Sequence, residues 1–186
     1  MNETIKSILN RRSYRAYKPE QISKEELDAI INCGLNAPSA MNTQNWHFTV
    51  IQNKDLLARI NADTISQLPK DAQERMTARN GGSKDFSLFY FAPTVVLVSG
   101  VADDRYSLLN GAYAAENMCV AAESMNIGSI IIGMAAMLFN SPKAEDYMRE
   151  LRIPSGYKPD YAVCFGYKGM EAAPPEREKD RVTYFI

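Results

Sequence analysis

Apolar positions along the chain fall into alternating helical and strand periods. Ile5, Ile8 and Leu9 recur at helical spacing, so residues from about Asn2 to Asn10 are expected to form a short helix. A polar break follows, from Arg11 to Pro19. Ser23 and Glu26 stand three apart ahead of Leu27, Ile30, Ile31 and Leu35, where hydroxyl and carboxylate can satisfy each other's backbone N–H at a helix start. Pro38 stops that helix, because the residue before a proline is pushed out of the helical region. Trp46-His47-Phe48-Thr49-Val50 reads as a strand completed at Gln52, and Asn53 then caps a helix carrying Leu56, Leu57 and Ile60.

Residues 66 to 85 are polar, with Pro69 and the pair Gly81-Gly82; they read as a partly helical surface excursion with the makings of a lid. Thr94 to Val98 is a β-branched, buried strand. Ser107 to Met125, rich in Ala and Met, is a long helix with apolar residues on more than one face, hence a central buried one. Ile130-Ile131-Ile132 is a short strand ending at Gly133, and Tyr161 to Tyr167 is the last core strand. Between them Ser141-Pro142 predicts an N-cap and first helical residue for a helix reaching about Leu151. Strands dispersed among helices suit a single α+β domain over residues 1–186, with a central mixed sheet surrounded by helices. The tail from Glu171 is proline-rich and charged, then ends Val182-Thr183-Tyr184-Phe185-Ile186. It is either a disordered terminus or an arm adding a strand to a partner subunit's sheet edge; the apolar ending favours the arm.

Composition narrows the chemistry. Apolar residues make up 46% and charged residues 23%, and the net charge is −1, so the chain has no electrostatic footprint for nucleic acid. The longest apolar stretch, around Ser129 to Phe139, is too short to span a membrane, and the N-terminus has no signal-peptide character. Cys33, Cys119 and Cys164 are far apart among apolar neighbours, as expected of buried, reduced thiols in a cytoplasmic protein. His47 is the single histidine. A Ser-His-Asp triad, a Cys-His dyad or a zinc site would have to share that residue, so the chemistry is expected to belong to a bound cofactor. No catalytic side chain and no metal ligand is singled out.

Three segments could hold one. Arg11-Arg12-Ser13-Tyr14-Arg15 offers guanidinium groups and a hydroxyl suited to a phosphate monoester, or else cations placed against a helix C-terminus. The stretch from Ala37 to Trp46 is uncharged and rich in amides and hydroxyls; it could match the donors and acceptors of a flavin ring, or be a polar connection only. Ile131-Ile132-Gly133-Met134 runs a strand into a glycine, which exposes backbone N–H groups to a planar ring or forms a plain core turn.

Together these segments carry a resemblance. Arg-Arg-Ser-x-Arg after a short first helix, Pro-Ser-x-x-Asn-x-Gln-x-Trp before the first strand, and Gly166-Tyr167 ending the last strand resemble the FMN-dependent nitroreductase family over essentially the whole chain. The resemblance implies that Arg11, Arg12 and Ser13 hold the FMN phosphate and ribityl chain, and that Arg15 lies near the N1/C2 edge of the ring. It implies that Pro38, Ser39, Ala40, Met41 and Asn42 contact the ring from the other subunit of a homodimer. Ile131, Ile132 and Gly133 match backbone donors near N5, and Arg177 a C-terminal arginine that returns to the phosphate. There are departures: Asn45 stands where the family often has proline, Pro175 where it has a second C-terminal basic residue, and the Asn and Lys that some members place near the ring have no match here beyond a weak one at Lys84.

The implied reaction is ping-pong. NAD(P)H delivers hydride to flavin N5 and leaves, and an electron-poor acceptor such as a nitroaromatic or quinone follows in the same place. Residues 66 to 90 would shape the acceptor pocket. The alternatives are a flavin carrier or sensor without turnover, and a family variant that performs dehalogenation or ene reduction.

Overall fold

The computed structural model describes residues 1–79, 86–178 and 180–186. Its elements are α1 (Glu3–Asn10), α2 (Lys24–Leu35), β1 (Trp46–Ile51), α3 (Lys54–Ser66), α4 (Lys70–Arg79), β2 (Thr94–Val101), α5 (Ser107–Ser124), β3 (Ile127–Ile132), α6 (Ala144–Glu150) and β4 (Tyr157–Tyr167), with 3-10 turns at Ala40–Asn42 and Gly133–Asn140. Helix starts follow local chemistry. Asn2 and Asn53 accept from Ile5 and Leu56 N–H at 3.0 and 2.9 Å. The capping box of α2 is complete: Ser23 Oγ accepts from Glu26 N–H at 3.1 Å, and Glu26 accepts from Ser23 N–H at 2.8 Å. Glu26 also accepts from the Tyr167 hydroxyl at 2.7 Å, tying the start of α2 to the end of β4.

The strand order is β1-β2-β4-β3 and each neighbouring pair is antiparallel, so the sheet is not the mixed one expected. The reason lies in the insertion of β4. β2 and β3 point the same way and are joined through α5, as in a parallel crossover, but β4 lies between them and opposes both. The parallel contact among the described residues is an isolated bridge from Ser13 to Ser129.

β2 and β4 are buried on both faces, which is why they read as continuous apolar runs. Val95, Leu97, Ala162 and Cys164 face Leu57, Ile60, Leu138 and Phe139 on one side. Val96, Val98, Val163 and Phe165 face Ile30, Ala115, Met118 and Cys119 on the other. α5 packs against α1, α2 and the sheet, as its many-sided apolar pattern predicts.

Other expectations are corrected. Cys119 and Cys164 are buried, but Cys33 is exposed on α2. Burial pushes the Cys119 thiol up to about 11, so it stays protonated at neutral pH. Ser141 is not the immediate N-cap of α6, which begins at Ala144 behind Lys143. Its hydroxyl donates to Leu138 O at 2.7 Å and accepts from Lys143 N–H at 3.2 Å, so it closes the preceding 3-10 turn and opens the turn leading into the helix. The excursion after α3 contains α4, while Gly81, Gly82 and Lys84 lie outside the described residues. Val182, Tyr184, Phe185 and Ile186 are exposed and do not pair with this chain's own sheet, as an arm reaching toward a partner subunit would not. Among the described residues, no helix is long and apolar enough to cross a membrane.

Candidate active site

The segment from Arg11 to Lys18 is held by main-chain bonds. Tyr14 N–H donates to Ser129 O at 3.0 Å, Lys18 N–H to Tyr167 O at 2.9 Å, and Gly169 N–H to Ala16 O at 3.0 Å. Two glycines allow this close approach. A Cβ on Gly128 would lie 3.0 Å from the Tyr14 side chain, and one on Gly166 would lie 2.9 Å from the Tyr17 ring and 2.8 Å from Pro93. The Lys168 ammonium sits 4.8 Å from the centre of the Tyr14 ring and pairs with Glu123 at 2.9 Å. With Tyr14 turned inward, alternation along the extended backbone leaves Ser13 and Arg15 exposed on either side of it.

The three arginines differ. Arg11 Nε forms an ion pair with Glu116 of α5 at 3.0 Å. Arg12 Nη1 donates to Leu9 O at 2.6 Å and Arg11 O at 2.7 Å, so it does serve the carbonyl end of α1. Its Nε, however, is buried without a hydrogen-bond partner among the described residues. Among the described residues, Arg15 makes a single long donation, to Ser13 O at 3.4 Å.

β3 is an edge strand. Since Ser129 gives its carbonyl to Tyr14 on the free edge, alternation directs the N–H groups of Ile131 and Gly133 to that edge and turns Ile132 N–H toward β4. A Cβ on Gly133 would meet nothing within 4 Å, so this face is open. Arg15 and Tyr17 line a cavity of about 530 Å³ together with Met134, which follows Gly133. Arg75 and Met76 of α4 and the aromatic rings of Tyr90 and Phe91 wall its other side. Tyr90 and Phe91 both hold left-handed backbone, at φ 53 and 54°. From the stretch 66 to 90, α4 and the described residues Phe86, Ser87, Leu88 and Tyr90 thus contribute to a cavity beside Arg15.

The middle segment is built differently. Met41, Asn42 and Gln44 are all left-handed, at φ 53, 55 and 46°, a conformation that costs a non-glycine residue about 1–3 kcal/mol. Ser39 accepts from Asn42 N–H through its carbonyl and from Gln44 N–H through Oγ, each at 3.0 Å. Asn110, fully buried in α5, supports the turn from below. Its Oδ1 accepts from Ala40 N–H at 3.0 Å, and its Nδ2 donates to Asn45 Oδ1 at 2.7 Å and to Thr43 Oγ1 at 3.3 Å. Asn45 in turn donates to Asp104 at 2.7 Å. Neither Asn110 nor Asp104 was foreseen; the available signal was an amide inside a helix otherwise read as apolar.

Arg11, Arg12, Ser13 and Arg15 thus lie along the same sheet edge as Ile131, Ile132 and Gly133. Pro38, Ser39, Ala40, Met41 and Asn42 form a separate surface over the N-terminal part of α5. Among the described residues, no hydrogen bond or ion pair joins the two, nor ties the exposed Arg177 to either. His47 lies on β1 with its ring 6.2 Å from that of Tyr157.

A model of the Nitroreductase family matches residues 8–167. The chain belongs to the nitroreductase family. It is 31% identical to a nitroreductase with bound FMN from Bacteroides fragilis NCTC 9343, each chain covered in full, at a TM-score of 0.89. A nitroreductase with bound FMN from Desulfitobacterium hafniense DCB-2 is 30% identical, again with both chains fully covered, at a TM-score of 0.91. A protein of Archaeoglobus fulgidus with the provisional name NADH dehydrogenase/NAD(P)H nitroreductase is 29% identical over 97% of this chain and 90% of its own length.

The residues present fit FMN on their own chemistry. The unpartnered Arg12 Nε is a donor awaiting an acceptor, and Ser13 and Arg15 are exposed beside it. The open face at Gly133 leaves room for a planar group, and the turn at 39–44 presents amides and hydroxyls without charge.

Proposed function

We propose that the protein is an FMN-dependent NAD(P)H oxidoreductase, working in the cytoplasm as a homodimer with flavin at the subunit interface. The observation that carries this reading is the cavity in which Arg15 and Met134 meet, joining the arginine segment to the open end of β3. When bound there, FMN would supply hydride chemistry between NAD(P)H and an electron-poor acceptor such as a nitroaromatic or a quinone.

The chain's own residues bind, orient and tune. Arg11, Arg12 and Ser13 hold the phosphate and ribityl hydroxyls, with Arg177 adding a further cation. Arg15 faces the pyrimidine edge, where a fixed positive charge favours the reduced, anionic form. Ile131 and Gly133 offer main-chain N–H groups along the open edge, and the hydrophobic body of Ile132 anchors the strand beneath them. Pro38, Ser39, Ala40, Met41 and Asn42 reach the ring from the second subunit, a role supported by their separation from the arginine segment within one chain. The exposed apolar side chains of α1 (Ile5, Ile8, Leu9), of α5 (Leu108, Leu109) and of the C-terminal arm support a subunit contact that covers them. The cavity wall of Met76, Tyr90, Phe91 and Met134 suits a planar, apolar acceptor.

A visible absorption spectrum of the purified protein, taken before and after anaerobic NADH or NADPH, tests the proposal. Flavin bands that bleach are expected. Bands that persist would remove the reductase assignment and leave a flavin carrier, and no bands after added FMN would remove the cofactor itself.

A further inference from the structure

We infer that Asn110 is a positioning residue for the cofactor: from inside α5 it holds the Pro38–Asn42 turn in the conformation that meets the flavin ring. The inference rests on the proposed flavin contact of that turn.

Asn110 uses its whole carboxamide. Oδ1 takes the Ala40 N–H at 3.0 Å, and Nδ2 gives to Asn45 Oδ1 at 2.7 Å and Thr43 Oγ1 at 3.3 Å. The relay has one direction. Ala40 N–H can only donate, and the chain of amides ends where Asn45 Nδ2 meets the Asp104 carboxylate at 2.7 Å, which can only accept. Both amides are therefore fixed in orientation from their two ends. Asp104 is itself held in place by accepting from Tyr106 N–H at 2.8 Å, at the start of α5.

What this network supports is at the surface. Met41 is 83% exposed, and Asn42 and Gln44 are exposed, so the turn adds little apolar burial of its own. A fully buried amide in a helix of small apolar residues is unfavourable unless its partners are satisfied. Here those partners belong to a segment carrying three left-handed non-glycine residues, a conformation that relaxes unless its surroundings hold it. A buried polar group that fixes an exposed, strained turn is explained by what the turn must present rather than by the core it sits in.

The test uses the full-length protein freed of flavin, titrated with FMN and with riboflavin while flavin fluorescence is followed. Riboflavin lacks the phosphate and so reports the ring and ribityl contacts alone. Asn110→Ala is expected to weaken both ligands by the same factor, about tenfold, as losing a buried hydrogen-bonded support predicts. It should also shift the absorption maxima of the bound flavin. Asn110→Asp alone sets a carboxylate oxygen against Asn45 Oδ1, whereas Asn110→Asp combined with Asp104→Asn reverses the relay, keeps an acceptor for Ala40 N–H and should recover part of the affinity. Affinities and spectrum unchanged in Asn110→Ala, alongside loss in Asn42→Ala, would overturn the inference while leaving the flavin contact standing. If Asn42→Ala and Met41→Ala change nothing either, the flavin contact of the turn has failed first. A loss of affinity that the Asn110→Asp, Asp104→Asn double variant does not lessen, accompanied by an equal fall in the melting temperature of both flavin-free variants, would reduce Asn110 to a folding role and overturn the inference as well.

Discussion

The arginine segment and the 39–44 turn carry similar polar groups but are positioned by opposite means. From Arg11 to Lys18 the main chain is tied to β3 and β4, and the side chains that face outward, Ser13 and Arg15, take no part in holding it. From Ser39 to Gln44 there is no sheet to join. The backbone is left-handed at three residues, and its support comes from side chains roughly 65 to 70 positions further along the chain. A segment held by its backbone can vary its outward side chains without moving, whereas a segment held by distant carboxamides depends on those amides being present. The first arrangement suits a phosphate grip whose cations can be redistributed. The second fixes a shape.

The comparison is sharpened most by separating phosphate from ring. Arg11→Ala combined with Arg177→Ala should raise the FMN dissociation constant by two orders of magnitude or more, since each charge-assisted hydrogen bond contributes about 1.5–3 kcal/mol. Riboflavin affinity should stay within a few-fold of the parent, because the backbone ties of the segment remain. An FMN constant that does not move would remove the phosphate assignment.

The backbone-held segment should instead be vulnerable beneath, at the glycines. Gly166→Ala places a Cβ 2.8 Å from Pro93 and 2.9 Å from the Tyr17 ring, neither of which can move without disturbing the strand contact. Overpacking of this kind costs about 1–3 kcal/mol. Urea unfolding followed by Trp46 fluorescence should show a lower midpoint at an unchanged slope, and a midpoint equal to the parent's would mean that Tyr17 yields easily. For the side-chain-held turn, Asn45→Ala should cost about 1–2 kcal/mol by leaving Asn110 and Asp104 short of partners. The same unfolding experiment reads this. Asn45→Pro is informative beside it, because proline removes the amide but stiffens the backbone; a variant as stable as the parent would show that rigidity can replace the hydrogen bonds.

Most of the fold was legible because it is local. The capping box at Ser23 and Glu26, the Asn53 cap, the apolar runs of β2 and β4, and the small residues of α5 each express one rule over a few neighbours. The sheet's direction was not legible, since nothing in β4 itself says that it inserts between β2 and β3. Ser141 was placed too close to the helix for a related reason: its hydroxyl does accept from Lys143 N–H, as Ser-Pro suggests, but it also closes the turn before it, and α6 starts only at Ala144. At the candidate site, the residue types of the three segments were readable, and the cavity beside Arg15 followed from the excursion after α3. The support under the middle segment was not readable. Asn110 and Asp104 act across long sequence separations, and an amide in an apolar helix gives no hint of where its partners lie. Cys33 shows the same limit in reverse, exposed although its neighbours in sequence are apolar.

The smallest effect is expected at the start of α2, the helix that leads into the turn. Glu26 accepts from Ser23 N–H and from the Tyr167 hydroxyl, and these hydrogen bonds, the Ser23 backbone first, hold its carboxyl below the ordinary glutamate value. A carboxyl whose pKa is depressed by folding contributes stability that is fully present above the unfolded value and is lost as pH falls through the folded one. Stability from Glu26 should therefore be constant at neutral pH and decline below about pH 4.5. Glu26→Gln keeps an acceptor for both donors but removes the charge, so at pH 7 it should cost less than about 1 kcal/mol at so exposed a site. The two proteins should converge as the pH falls through the folded value, where the parent's carboxylate itself takes up the proton. Chemical denaturation of both at pH 7, 5 and 3 decides it. A stability difference that persists undiminished at the lowest pH would mean that Glu26 acts through shape and not through its charge, and the capping box would then differ from the arginine segment in needing no ionised group at all.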